Sequence, residues 1–154
     1  MNKFNKISAQ LSEEDIKSVE YEIGVNFPQE FIAHYLKYNG GIPTNACFYM
    51  EEYDSIAEIS CFLPIKYNDN TQSFTIEESF INYTKEKNVI SPHFIPFARD
   101  WGGNLFCINQ ENGNIFLILL DLGEVKENNG SIRFLSDSFG TFINALENCE
   151  EDDD

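Results

Sequence analysis

Apolar residues recur along this chain with two different periods, which separate predicted helices from predicted strands. Between residues 11 and 41 the spacing is three to four residues, as on one face of a helix. Ser12 is placed to cap a first helix and Gly24 to end it. Pro28 is placed to begin a second helix, and Asn39-Gly40-Gly41 to end it. The apolar stripes of these two helices are Ile16, Val19, Ile23, Phe31, Ile32, Tyr35 and Leu36. His34 lies between the apolar rows of the second helix, and we expect a surface or rim position for it rather than a chemical role.

Residues 94–121 organise the middle of the chain and predict three strands joined by two turns. The first turn is Asp100–Gly103. The second is Asn112-Gly113, a strong hairpin signal, because a type I′ turn needs positive φ at both central residues. Residues 115–120 show no polar alternation, so we expect this strand to be buried on both faces or covered by helices.

The remaining patterns complete an α+β fold. Strands are predicted at 46–50, 59–63 and 132–135, a helix capped by Thr75 with Glu78, and a last helix capped by Ser136 or Ser138. Helices and strands are segregated along the sequence, which favours one domain over residues 1–147 with an antiparallel-rich or mixed sheet of five to six strands. N-terminal, inserted and C-terminal helices should flank this sheet. Residues 148–154 form an acidic tail that we expect to be disordered.

The chain is strongly acidic, with 10 basic against 26 acidic residues and a net charge of -16. Six of the acids lie in the last eight residues, so the rest of the chain still holds 20 acids against 10 bases. Nucleic acid and anionic membranes should be repelled, whereas a basic protein should be attracted. The alternative is that the acidity serves only solubility.

The four cysteines form no C-x-x-C pair and no zinc-type spacing, so we expect neither a metal nor a cofactor. The N-terminus lacks the apolar run of a signal peptide, and no stretch approaches the length of a membrane span. These features predict a cytoplasmic protein with reduced thiols.

Motifs that carry catalysis are not found in the sequence. The Asp100–Gly103 turn lacks the length and the lysine of a phosphate-binding loop, and no G-x-S-x-G elbow occurs. Asn109–Asn114 is faintly similar to a calcium loop but lacks its first Asp and last Glu, so a hairpin turn is the better interpretation. We expect a protein that is not an enzyme.

Three blocks of sequence, in this order, resemble the SUKH superfamily of Smi/Knr-like proteins. They are FPQEFIAHYLKYNGG at 27–41, FIPFARDWGGNLFC at 94–107 and SFGTFI at 138–143. The resemblance spans about residues 11–147. It implies an α+β fold with helices flanking a mixed or antiparallel sheet. It also implies a function, because many bacterial members are immunity proteins that bind and neutralise a toxin, often a nuclease delivered between competing cells. The family has no catalytic residues to carry over, and its motif residues look structural.

Charge and resemblance together suggest a partner-binding surface. A nuclease toxin needs a basic face for its phosphate substrate, and an acidic protein can cover that face. Aromatic residues with polar groups are enriched at interface hot spots. The candidate residues are Tyr49, Glu51, Glu52, Tyr53, Asp54, Glu58, Asp100 and Trp101. Trp101 has two interpretations, a lid on the core or an interface anchor.

The expected partner is therefore a cognate toxin, with a basic nuclease domain, bound by a monomer or weak homo-oligomer. Two alternatives stay open. One is a non-catalytic regulatory adaptor that binds a host protein. The other is a small-molecule module in the cleft beside the central strands.

Overall fold

The side chains of Ser12, Thr75 and Ser138 cap the N-termini of three helices that the sequence predicts. The computed structural model describes residues 2–69, 74–126 and 130–149. In the first cap, the Asp15 N–H donates to the Ser12 hydroxyl at 3.1 Å and the Ser12 N–H donates to the Asp15 carboxylate at 3.0 Å. Thr75 and Glu78 form the same reciprocal pair. The α-helices are α1 (Glu13–Ile23), α2 (Gln29–Lys37), α3 (Ile76–Ile81) and α4 (Phe139–Ala145).

Six antiparallel strands form one sheet, and their order in the sheet is their order along the chain. They are β3 (Cys47–Met50), β4 (Ser55–Phe62), β5 (Phe94–Asp100), β6 (Leu105–Asn109), β7 (Ile115–Ile118) and β8 (Ile132–Ser136). A separate two-stranded pair joins β1 (Phe4–Asn5) to β2 (Ile42–Pro43). The predicted α+β class and the upper strand count are confirmed, and in the described residues every pair of the six-stranded sheet is antiparallel. No helix among those residues has the length and apolar character needed to cross a membrane.

The hairpin between β6 and β7 is confirmed, but its predicted turn type is wrong. Gly113 has a φ of 79°, whereas Asn112 is not among the residues with positive φ. The Gly113 N–H donates to the Asn109 carbonyl at 2.7 Å, and the Asn109 N–H donates to the Asn114 carbonyl at 2.8 Å. The connection is thus a longer loop in which one glycine enters the left-handed region, rather than a two-residue turn.

The central strands are buried on both faces. On one face, Phe97 contacts the rings of Phe31, Phe139 and Phe142 at 6.0, 5.4 and 6.0 Å between ring centroids, so α2 and α4 cover this side. On the other face, a smaller apolar cluster contains Ile90, Leu105 and Ile118. Within β7, Leu117 belongs to the first cluster and Ile118 to the second. The prediction that this strand is buried on both faces is confirmed.

Two side chains of the first sequence block form hydrogen bonds with the buried backbone of residues 63–65, a segment that lies outside any strand. The Tyr35 hydroxyl donates to the Leu63 carbonyl at 2.8 Å. Asn39 donates to the carbonyls of Ala9 and Ile65 at 2.9 and 3.0 Å, and accepts from the Ile65 N–H at 2.7 Å. Leaving such buried groups unpaired would cost about 1–3 kcal/mol each.

The glycines of the first block allow close backbone contacts. Gly41 has a φ of 102°, and a Cβ atom there would lie 2.6 Å from the carbonyl oxygen of Asn5. Gly41 also forms an isolated antiparallel bridge with Phe62. The structural role that the resemblance implies for this motif therefore has a direct steric reason.

Cys47 and Cys149 form a disulfide, so the prediction of reduced thiols is wrong for these two residues. The last described segment runs beside β3, where the Cys47 N–H donates to the Glu147 carbonyl at 3.0 Å and the Glu147 N–H donates to the Cys47 carbonyl at 2.8 Å. This pairing brings together two cysteines that are 102 positions apart in sequence, with 5.3 Å between their Cα atoms. Cys149 falls within the predicted acidic tail, and residues 150–154 lie outside the described residues.

His34 is partly buried, which fits the predicted rim position rather than the surface position. Its imidazole packs against aromatic rings from four parts of the chain, and its Nε2 atom has no hydrogen-bond partner in the structure. The rings are those of Phe4, Tyr35, Tyr38, Phe62 and Phe139. Burial, with a smaller contribution from the charge of Lys37, lowers the pKa of His34 to about 4.

This burial predicts a dependence of stability on pH. The pKa of His34 is lower in the folded state than the unfolded value of about 6.5, so the folded state favours the neutral imidazole. The contribution of His34 to the free energy of unfolding is therefore fully present above pH 6.5 and is lost as the pH falls toward about 4. The loss should approach about 3 kcal/mol. Urea unfolding across this window should show a shallower decline for His34→Gln than for the natural protein. His93→Gln, which alters an exposed imidazole, is the matched control. Equal slopes for His34→Gln and the natural protein would contradict the assignment.

Candidate functional site

The connection between β3 and β4 projects an acidic and aromatic tip from one end of the sheet. Glu51–Tyr53 form a 3₁₀ turn, and Asp54 follows with a φ of 47°. The Tyr49 hydroxyl donates to the Asp54 carboxylate at 2.7 Å, and this hydrogen bond raises the pKa of Tyr49. The tip therefore presents a tyrosine of fixed orientation next to exposed carboxylates.

The turn between β5 and β6 presents Trp101 to solvent. The Asp100 carboxylate accepts from the N–H groups of Gly102 and Asn104 at 2.9 and 2.8 Å, and from the Asn104 side-chain amide at 3.1 Å. Asn104 in turn accepts from the Leu120 N–H at 2.8 Å. Trp101 is 72% exposed, so its interpretation as a lid on the core is wrong.

The sheet brings the tip and the Trp101 turn to the same end of the molecule. Ile59 of β4 is the register partner of Asp100, and Ile56 is the partner of Tyr49. Ile56 and Tyr49 are 58% and 51% exposed. A surface depression next to them includes Ile56, Glu58, Asp100, Trp101 and Arg133 in its lining. The eight predicted residues thus lie in two adjoining groups, joined by β4.

Two residues of this surface, Ile56 and Arg133, do not follow from the sequence pattern. The pattern predicts a strand that begins at Ile59, whereas β4 begins at Ser55 and includes Ile56. Arg133 lies on β8, and its guanidinium carbon is 4.2 Å from the centre of the Tyr53 ring. This cation–π contact attaches the tip to the other edge strand of the sheet. An arginine between apolar strand residues is the only sequence signal for it.

The predicted residues differ in what they can offer to a partner. Glu51, Glu52, Asp54 and Glu58 are exposed, as are Tyr49 and Trp101. Asp100 is partly buried, and its carboxylate oxygens accept the three hydrogen bonds of the turn. Its geometry suits the positioning of Trp101 better than direct contact.

One comparison with known proteins identifies a relationship across most of the chain. The model of the SMI1 / KNR4 family (SUKH-1) matches residues 10–145. This range includes both groups of the candidate surface. No curated protein gives a significant match.

The role of Asp100 can be tested through Trp101, the only tryptophan in the sequence. Asp100→Ala removes the acceptor of three hydrogen bonds, so the turn should loosen and the free energy of unfolding should fall by roughly 1–3 kcal/mol. The steady-state fluorescence anisotropy of Trp101 should fall as well. Asp121→Ala, which removes an exposed acid, is the control. An unchanged anisotropy in Asp100→Ala would show that the carboxylate does not hold the turn.

Proposed function

Because this chain belongs to the SMI1 / KNR4 family (SUKH-1), a family that includes bacterial immunity proteins, we propose that it binds and neutralises a cognate toxin. It acts by covering a surface of the toxin rather than by catalysis. Its partner is a basic toxic domain of the nuclease type. The contact surface is the Tyr49–Asp54 tip together with Ile56, Glu58 and Trp101.

The observation that carries the proposal is the exposure of three large apolar side chains inside an acidic boundary. Tyr49, Ile56 and Trp101 are each more than half exposed and lie on neighbouring connections and strands. Exposed apolar patches with polar rims mark protein interfaces. Tryptophan and tyrosine supply much of the binding energy at such sites, where their rings are desolvated.

The charge of the surface favours a basic partner. The tip contributes three exposed carboxylates within four residues, and Glu58 adds a fourth on β4. A nuclease domain concentrates positive charge where it binds phosphates. Carboxylates facing that charge would accelerate association and exclude the nucleic acid from the same surface.

Co-expression tests the function directly. The toxic domain encoded next to this gene is expressed in bacteria with and without the protein, and survival is counted. We expect rescue and a 1:1 complex on size-exclusion chromatography. Failure of both rescue and complex formation would overturn the proposal.

The predicted surface can be tested by charge reversal with the same complex. Replacing Glu51, Glu52 and Asp54 with lysine should slow association by at least about tenfold and weaken its dependence on salt, because steering would be lost. Replacing Glu22, Glu86 and Glu111 with lysine is the matched control, since these acids are exposed, lie outside β3, β4 and their connection, and change the net charge equally.

Comparing the two triple variants separates the effect of charge at the tip from the effect of the net charge of the protein. Stopped-flow association rates measured at several salt concentrations should differ strongly between the two triple variants. Equal association rates for the two variants would show that the tip is not part of the interface. That outcome would not contradict the proposed immunity function.

A further inference from the structure

At one edge of the sheet, the sulfur atoms of two cysteines and the carboxylate of a glutamate lie close together. The proposed toxin contact does not require this grouping. Potential ligand atoms of Cys47, Glu58 and Cys149 all lie within 4.8 Å of one another. We propose that, when the disulfide between the two cysteines is reduced, their thiolates and the Glu58 carboxylate bind one zinc ion.

The backbone brings these three side chains together independently of the disulfide. Cys47 and Glu58 are register partners on β3 and β4, so their side chains lie on the same face of the sheet. Cys149 follows Glu147, which pairs with the opposite edge of β3 through two backbone hydrogen bonds. Three separate stretches of chain therefore converge on one point, and two of the contacts are backbone pairings that reduction does not break.

The ligand set has the chemistry that zinc prefers. Zinc binds thiolates at about 2.3 Å and carboxylate oxygens at about 2.0–2.2 Å in a tetrahedral arrangement. Two thiolates on one zinc ion lie about 3.8 Å apart, so the two sulfur atoms must separate once the disulfide is reduced. The Glu58 carboxylate already lies within 4.8 Å of both sulfur atoms. Glu58 is exposed, which leaves the fourth position for water. The net charge of -16 also favours the approach of a divalent cation.

The other two cysteines cannot take this role. Cys61 and Cys107 are buried, and burial raises the pKa of the Cys107 thiol far above its ordinary value. Cys107 therefore stays protonated, and neither Cys61 nor Cys107 belongs to the group of potential ligands. The chain thus contains its own matched control for a cysteine outside the cluster.

The disulfide and the metal site exclude each other, because both use the sulfur atoms of Cys47 and Cys149. Conversion of the disulfide to the metal site begins with a reduction that takes up two electrons and two protons. A dithiol reductant gives two electrons and two protons to the Cys47–Cys149 bond, which becomes two thiols, while the reductant becomes a disulfide. Each thiol then loses its proton to solvent as its sulfur binds zinc. In both states the segment around Cys149 stays attached to β3, through a covalent bond in one and through the metal in the other.

Cobalt(II) is the direct probe, because thiolate ligands give it a charge-transfer absorption band. The full-length protein is reduced with a dithiol, the reductant is removed without oxygen, and Co²⁺ is added. We expect a band that saturates at one equivalent and disappears when one equivalent of Zn²⁺ is added. The oxidised protein should give no band. A reduced protein without the band at one equivalent would overturn the proposal.

Variants assign the ligands. Cys149→Ser should weaken Co²⁺ binding by at least about tenfold, whereas Cys61→Ser should bind as the natural protein does. Glu58→Gln should weaken binding by about tenfold, with Glu52→Gln as its control. If Cys149→Ser fails to fold by circular dichroism, Glu58→Gln and the oxidised natural protein decide the question. Binding unchanged in Glu58→Gln would exclude the carboxylate as a ligand and overturn the three-residue site.

Discussion

The buried backbone of Leu63–Ile65 is the constraint on which the arrangement of helices and sheet depends. This segment leaves the end of β4 and enters the core without joining a strand, so regular strand pairing does not supply all the partners that its polar groups need. Tyr35 and Asn39 supply several of them, and both belong to α2 or to its end. The Leu63 N–H donates to the Phe97 carbonyl at 2.8 Å, which connects the same segment to β5. The orientation of α2 over the sheet is therefore specified by hydrogen bonds as well as by its apolar face.

Local patterns in the sequence predicted the elements, whereas long-range pairings determined the details that were missed. Ser12 and Thr75 cap helices through contacts only three residues away, so their patterns are readable without the fold. The turn at Asn112-Gly113 depends on how two strands align, and the structure uses a longer loop. The Cys47–Cys149 bond joins positions far apart in sequence, and neither spacing nor composition indicates it. Trp101 illustrates the same limit, because its exposure is a property of the folded turn, in which Asp100 and Asn104 form hydrogen bonds that the sequence does not predict.

The candidate surface combines two loops that the sheet holds at one end. β4 carries the acidic tip and also pairs with β5 next to the Trp101 turn. Each loop is held by a side-chain hydrogen bond within it, between Tyr49 and Asp54 in one loop and between Asp100 and Asn104 in the other. Arg133 adds a contact from β8 to the tip. A surface ordered before binding loses less conformational entropy when a partner arrives, so more of its contact energy is available as affinity.

The residues near both ends of the described chain attach to a single stretch, residues 42–47. Asn2 exchanges two hydrogen bonds of 2.9 Å with Asn45, and Cys149 is bonded to Cys47. Asn45 and Cys47 are two residues apart, at most about 7 Å along the chain. Residues 42–47 therefore hold two segments that are far apart in sequence. A change that displaces this stretch should loosen both segments together, so their local unfolding is expected to be coupled.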